Sequence, residues 1–371
     1  MNVRLFNDTM RKHISNILAP ILLAANLVAI ALLLLSAFGG NIPPRIFGWH
    51  ASLALVFPFL VAVCVLFMVM WLIAQSRKWL WSFFALIVCA CQLRTYCPVN
   101  WPHDIPEGSI KIVSYNTYGL GCGFKDTLLR EQMMEYLRLN DADLLCAQES
   151  YYNIARKQEV EEAVAHWPYR DSVSIPNLGN ALTFFSNYPI LDRHIIRSQS
   201  MGHLCVIYSV EIEPDTVIVV NSHFVSNAIG TEDKEVYQKI VTISDRDSTS
   251  EDILRLGRKV NYAGVRRAEQ ADSLYRYLEQ MGDKPVIVCG DFNESPLSYV
   301  HTRLCGLLDD AYTASGNGPG ISYHLNRMYF RLDNILCSRH WRAYAAKVDS
   351  RQKMSDHYPI EVWLKRRKEQ P

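Results

Sequence analysis

The chain has 371 residues, 49% of them hydrophobic, enough for two or three structural units with sizeable cores and outside the composition of a disordered or fibrous protein. Net charge is +1 with 20% charged residues, which excludes a protein that coats a polyanion. The average hides a division: residues 1–107 carry +4 and residues 108–371 carry −3, although the latter include the tail run Lys365, Arg366, Arg367 and Lys368.

In chain order, the first feature is an uncharged apolar run over 14–38, repeated over 52–74. Each is long enough to cross a hydrocarbon core of roughly 30 Å. A third run, 79–95, is shorter and holds Arg94 near its end; Trp79, Trp81, Tyr96 and Trp101 suit interfacial belts around it. Three spans are expected, with residues 1–96 as a membrane anchor. The first run is too long for the apolar part of a cleaved signal peptide. Arg4, Arg11 and Lys12 precede the first run and Arg77 and Lys78 lie between the second and third, which puts those ends in the cytoplasm. Everything beyond the third span then lies outside the cytoplasm, in an integral protein of the inner or plasma membrane. The spans carry no acidic residue to mark a transport pathway. Pro98, Pro102 and Pro106 make 97–107 read as a short stiff linker.

Residues 108–365 read as one α/β domain, followed by a basic tail. Short apolar strands are expected at 110–116, 143–148, 181–185, 205–212, 217–223, 285–290, 331–337 and 358–364. Helical periodicity appears over 124–139 and 265–281. Consecutive strands without helices disfavour a simple doubly wound sheet and suit a sandwich of mixed sheets with helices outside. The ten cysteines show no zinc-type spacing, and Cys146, Cys289 and Cys337 sit in strand-like runs, as buried thiols do. A polar stretch over 227–261, with Asp233, Glu235, Asp245, Asp247, Glu251 and Asp252, is long enough to carry function. It is expected to roof a pocket, and its acidity disfavours a DNA groove.

Several apolar strands end in polar residues: Asn116, Glu149, His223, and Asp291 with Asn293 after Gly290. Asp333 lies inside an apolar strand, where a charge needs a partner, and Ser355-Asp356-His357 leads into the last strand. Singly, each suits a turn or a solvated strand end. Together they supply oxygen donors for a hard divalent ion, a carboxylate beside a histidine, and neutral amides, an inventory for phosphate-ester hydrolysis.

The order Tyr115-Asn116, Gln148-Glu149, Ser222-His223, Gly290-Asp291-Phe292-Asn293, Arg331-Leu332-Asp333 and Ser355-Asp356-His357 resembles the endonuclease/exonuclease/phosphatase superfamily. So do Gly179-Asn180-Ala181, Ser186-Asn187-Tyr188-Pro189-Ile190 and Arg267-Ala268-Glu269-Gln270-Ala271. The resemblance implies a four-layer α/β/β/α sandwich of two mixed sheets with the site at one end between them. It implies Glu149 as principal Mg²⁺ ligand, with Asn116 and Asp356 in or near its shell and Mn²⁺ as the alternative ion. It makes Asp291 the residue that orients or deprotonates water, Asn293 a donor to phosphate, and His223 and His357 its flanks. Asp333 would hold His357.

The expected activity is water attack on a phosphodiester or phosphomonoester by a membrane-anchored enzyme. Membrane attachment favours a lipid head group or an exported phosphometabolite. An extracytoplasmic nuclease and a noncatalytic membrane-tethered binding module are the alternatives; nucleic acid is not favoured, and no protein partner is inferred.

Overall fold

A computed structural model describes residues 3–46, 48–123, 126–151, 156–175, 180–197, 204–227, 250–325 and 328–367. Gly179, most of the acidic stretch expected to roof the pocket (228–249) and the tail from Lys368 onward lie outside the described residues.

Four helices occupy most of residues 3–96: α1 (Val3–Phe38), α2 (His50–Ile73), α3 (Trp79–Val88) and α4 (Ala90–Tyr96). Within them, Leu18–Asn41 and Ser52–Ile73 are long and apolar enough to cross a membrane. Ile21, Val28, Phe59, Leu66 and Phe84 are exposed on these helices, a surface suited to lipid rather than water. Inside the bundle, Ser82 Oγ donates to Asn26 Oδ1 at 2.8 Å and Ser36 Oγ to the Leu53 carbonyl at 2.7 Å, polar pairing of the kind that joins helices in lipid.

The third apolar run differs from a single straight span: α3 and α4 meet at a 62° bend. Beyond Cys89 come Gln92, Arg94 and Thr95, polar groups that hydrocarbon disfavours. Accordingly, α4 turns toward the rest of the chain, where the Thr95 carbonyl accepts from Thr313 Oγ1 at 3.3 Å. The proline-rich segment that follows is fastened at Asn100, whose side-chain amide donates to the Gly316 carbonyl at 2.6 Å.

Two six-stranded mixed sheets form the rest. The strands are β1 (Ile110–Asn116), β2 (Leu144–Gln148), β3 (Tyr169–Ile175), β4 (Asn180–Ser186), β5 (Ile190–Arg197) and β6 (Leu204–Ile212). They continue with β7 (Asp215–His223), β8 (Val286–Asp291), β9 (Asp309–Asp310), β10 (Asp333–Cys337), β11 (Trp341–Val348) and β12 (Ile360–Arg366). One sheet runs β11-β12-β1-β2-β4-β3 and the other β5-β6-β7-β8-β10-β9. Each has one parallel pair at its centre, β1 with β2 and β7 with β8; the remaining pairs are antiparallel.

Side chains alternate across each sheet. One set, including Ile112, Leu144, Phe184, Tyr208, Val219, Ile287, Ile335 and Val362, fills the space between the sheets. The opposite set packs under helices. α5 (Thr127–Leu139) and α6 (Lys157–Ala163) cover the first sheet through Met133, Leu137 and Val160. α7 (Ser250–Gln280) and α8 (Tyr299–Leu304) cover the second through Ala271, Leu274 and Leu304. A short α9 (Ala311–Ser315) completes the fold. The architecture is therefore α/β/β/α, with all ten cysteines free.

Three local differences from the sequence expectations have physical causes. The polar stretch read as a loop to residue 261 is helical from Ser250, with Glu251 and Asp252 in the first turn, where carboxylates favour the helix dipole. β10 begins at Asp333 rather than residue 331 because Arg331 turns aside, buried, to pair with Asp310 at 2.9 Å. Strands β3, β5, β9 and β11 were not expected, and these four are the edges of the two sheets. Edge strands bury one face at most and carry charges, as Arg170, Asp171, Asp192 and Arg193 do here.

Candidate active site

Strand register assembles the site. At the ends of the parallel pair β1 and β2, Asn116 lies beside Gln148, so Glu149 follows directly at the sheet end. In the other sheet His223 lies beside Asp291 and Asp291 beside Asp333. Tight approach of β7 and β8 requires Gly290, since a Cβ there would meet the Ser222 carbonyl oxygen at 2.1 Å. Below the site the sheets are tied by Gln148 Nε2, which donates to Asn221 Oδ1 at 2.8 Å, and by Asn221 Nδ2, which donates to the Ala147 carbonyl at 3.2 Å.

The two sheet ends then meet. Asn116 Nδ2 donates to Glu149 Oε1 at 3.2 Å and to Asp291 Oδ2 at 3.1 Å, and Asn116 Oδ1 accepts from the Tyr118 amide at 3.2 Å. His223 Nε2 lies 3.6 Å from Glu149 Oε1 and 3.9 Å from Asp291 Oδ2. Glu149 and Asn293 both hold positive φ, 47° and 53°, conformations that cost roughly 1–3 kcal/mol each and persist where surroundings enforce them. The Asn293 amide donates to Asp291 Oδ1 at 2.8 Å and its side-chain Nδ2 to the Phe224 carbonyl at 3.1 Å.

The loop before β12 closes the constellation. Ser355 Oγ donates to the Asn116 carbonyl at 2.6 Å and accepts from the His357 amide at 3.2 Å. His357 Nδ1 is 2.7 Å from Asp333 Oδ2, and its Nε2 is 3.6 Å from Asp291 Oδ2. Burial works against charge on this ring, but the carboxylates of Asp333, Asp291 and Asp356 outweigh it and hold its pKa well above the usual histidine range. Burial pushes the Asp333 carboxyl up, against the pull of His357. A proton shared within the pair accounts for both directions. Asp356 and Glu149 lie close enough to Tyr118 that, after its partial burial, both carboxylates raise its hydroxyl pKa.

All eight residues expected from the sequence therefore lie on or beside one rim. Two oxygen-rich groupings could take a cation. Ligand atoms of Asp291, Asp333 and His357 lie within 4.8 Å of one another and are buried. In that grouping, however, Asp333 Oδ2 and His357 Nδ1 already share a short hydrogen bond and both Asp291 oxygens accept amides. Glu149, with its side chain 26% exposed, offers a carboxylate that can reach both a cation and its waters, as Mg²⁺ requires. Asp356 adds a second hard oxygen donor. Four carboxylates converging where an anionic phosphate ester would sit repel that substrate unless a cation offsets them, and the donor set fits one.

Some supporting residues were not legible. Ser322 Oγ accepts from the Leu332 and Asp333 amides at 3.1 Å each, aiming Asp333, and Tyr323 lies edge-on to His357 at 5.0 Å. Neither belongs to a motif. Arg267 is fully buried against Glu294 at 2.7 Å and donates to the Val225 carbonyl at 2.8 Å, bracing the loops after β7 and β8. Arg267 stands in a motif that carries the resemblance, whereas its partner Glu294 does not, and the adjacency of Glu294 to Asp291-Phe292-Asn293 was the available signal for it.

A sequence profile described as the Endonuclease/Exonuclease/phosphatase family matches residues 113–357. The chain belongs to this family. Members are typically hydrolases acting on phosphate esters, which is the chemistry that the converging carboxylates and histidines suit. A second profile, described as a domain of unknown function, matches residues 19–96. No curated protein matches the sequence. Among solved structures, truncated TDP2 of Caenorhabditis elegans is 15% identical with a TM-score of 0.51, covering 71% of this chain and 99% of its own. An endonuclease/exonuclease/phosphatase from Bacteroides vulgatus is 14% identical with a TM-score of 0.50, covering 70% and 100%. At these identities the likeness is one of fold.

Proposed function

We propose that the chain is a membrane-anchored, Mg²⁺-dependent phosphoesterase that hydrolyses a phosphodiester or phosphomonoester by in-line attack of water. The observation that carries this reading is the meeting of Asn116, Glu149, His223, Asp291 and the Asp333–His357 pair at the paired ends of both sheets. Glu149 would be the principal ligand of Mg²⁺, with Asp356 beside it and Asn116 holding the Glu149 carboxylate in place; Mn²⁺ has the same oxygen preference. Bound there, the ion would neutralise phosphate charge as a Lewis acid.

The remaining roles belong to the chain's own side chains. Asp291, fixed by amides on both oxygens, orients the attacking water and takes up its proton. His357, kept protonated by Asp333, donates toward a phosphate oxygen as charge develops there, and His223 lines the opposite side. Asn293 has a second amide hydrogen to direct at the phosphate while the first is held by Phe224. Each group is already oriented by a neighbour, which lowers the reorganisation needed in the transition state.

The N-terminal helices favour a substrate met at a membrane, a lipid head group or an exported phosphometabolite. The side is read from charge: the basic residues at the start of α1 and after α2 are retained in the cytoplasm, so the domain faces outward if the bent pair α3–α4 crosses as a third span. The test is product release by the full chain in detergent micelles from sphingomyelin, phosphatidylinositol phosphates, nucleotides and DNA, with Mg²⁺ or with chelator. Mg²⁺-dependent turnover of a lipid or small phosphate ester supports the reading; preference for DNA supports a nuclease, and a folded protein that neither binds Mg²⁺ nor turns over any ester supports a binding module.

A further inference from the structure

Away from the active site, a cavity of about 790 Å³ opens where the α1–α2 connection meets the outer face of the second sheet. Four arginines from four separate elements line it: Arg45 from the connection, Arg197 at the end of β5, Arg276 on α7 and Arg303 on α8. Against them stand Glu269 and Asp272. Asp272 is engaged: Oδ1 accepts from Arg303 Nε and from the Tyr299 hydroxyl, both at 2.9 Å. Among the described residues, Arg45 and Arg197 have no carboxylate within ion-pair distance. Gln270 also lines the cavity, is 6% exposed, and its Oε1 accepts the Val225 amide at 2.9 Å while its buried Nε2 has no hydrogen-bond partner among the described residues. Leaving a buried amide donor without a partner is unfavourable, and an anion's oxygen would satisfy it.

We infer that this cavity binds the phosphate group of an anionic phospholipid. Guanidinium forks match phosphate oxygens bidentately, and two of the four forks have no carboxylate partner among the described residues. The choice of a lipid over a free anion rests on Arg45. It belongs to the short connection between the two helices long and apolar enough to cross a membrane, which sets the cavity at head-group height. This inference rests on the membrane reading of those helices and is independent of the catalytic one. Through Gln270 and Val225 the occupied cavity would also touch the loop that Arg267 and Asn293 brace beside the active site.

The experiment uses the full chain in neutral detergent and measures binding of dioctanoyl phosphatidylglycerol, dioctanoyl phosphatidylcholine, glycerol phosphate and inorganic phosphate by native mass spectrometry and by titration. The expected result is preference for the anionic lipid, weakened about fivefold by Arg45→Gln or Arg197→Gln alone, in line with roughly 1 kcal/mol per basic residue near an anionic head group. Both arginines are exposed, so the variants should fold, and Arg339→Gln on a remote exposed ion pair serves as the control. Equal binding of the two lipids, or affinity unchanged in both variants, would overturn the inference. Glycerol phosphate or inorganic phosphate binding as tightly as the anionic lipid would overturn its lipid part.

Discussion

Asp333 and His357 come from different sheets, yet Asp333 Oδ2 and His357 Nδ1 lie 2.7 Å apart in full burial. Asp333 opens β10 of one sheet, and His357 precedes β12 of the other. If the pair acts as a unit, Asp333→Asn and His357→Ala should each lower kcat by about 10²-fold, and the double variant should lose little more than the worse single one. A double-variant cycle on kcat checks this; losses that multiply would mean that the residues act separately.

Glu149 is partly exposed and held by Asn116. Glu149→Gln keeps the shape and removes the charge, so the Mg²⁺ concentration for half-maximal rate should rise at least tenfold, with a large fall in kcat. An unchanged Mg²⁺ titration would remove Glu149 as a ligand.

Gly40 is buried against the segment that follows Asn293: a Cβ there would meet the Leu297 carbonyl oxygen at 2.4 Å and Thr302 Oγ1 at 2.8 Å. Leu297 itself sits in the apolar cluster of the membrane helices with Ala37 and Phe57. Gly40→Leu should therefore destabilise the protein by about 1–3 kcal/mol through overpacking and lower kcat by displacing the Asn293–Leu297 loop. Thermal unfolding in nanodiscs together with kcat checks both; a variant matching the parent in both would show that this contact transmits nothing.

His301, Asp310 and Arg331 form a buried chain, with His301 Nε2 at 3.1 Å and Arg331 Nη2 at 2.9 Å from Asp310 Oδ2. Burial opposes charge on His301, but Cys305 and Asp310 raise its pKa to about 9. Because the folded value exceeds the ordinary one, its stabilisation is complete below about pH 6.5 and is lost as pH rises through about 9. Stability measured by chemical unfolding should decline over that window, and His301→Gln should flatten the decline. The same slope in the variant would assign it to another group.

The interior strands were legible because their apolar runs have few alternatives: β1, β2, β7 and β8 bury nearly every side chain on both faces. The edge strands were hidden by charges that suit a solvated loop equally well. In the site, residues at strand ends were legible from type and order, whereas Ser322, Tyr323 and Gly40 act through contacts between distant segments that no local pattern encodes. The bend at Cys89 was hidden for a related reason. An apolar run specifies burial in lipid, but the docking of Thr95 on Thr313 decides where the helix turns.

Metal-dependent hydrolysis at this rim is the central claim. Its most direct measurement is the rate at which the full chain in nanodiscs hydrolyses its preferred phosphate ester across a Mg²⁺ series, with a chelator arm and His357→Ala as the comparison. The rate should rise with Mg²⁺, fall to background in chelator, and drop about 10²-fold in the variant. Turnover that persists in chelator, or that His357→Ala leaves unchanged, would contradict the claim.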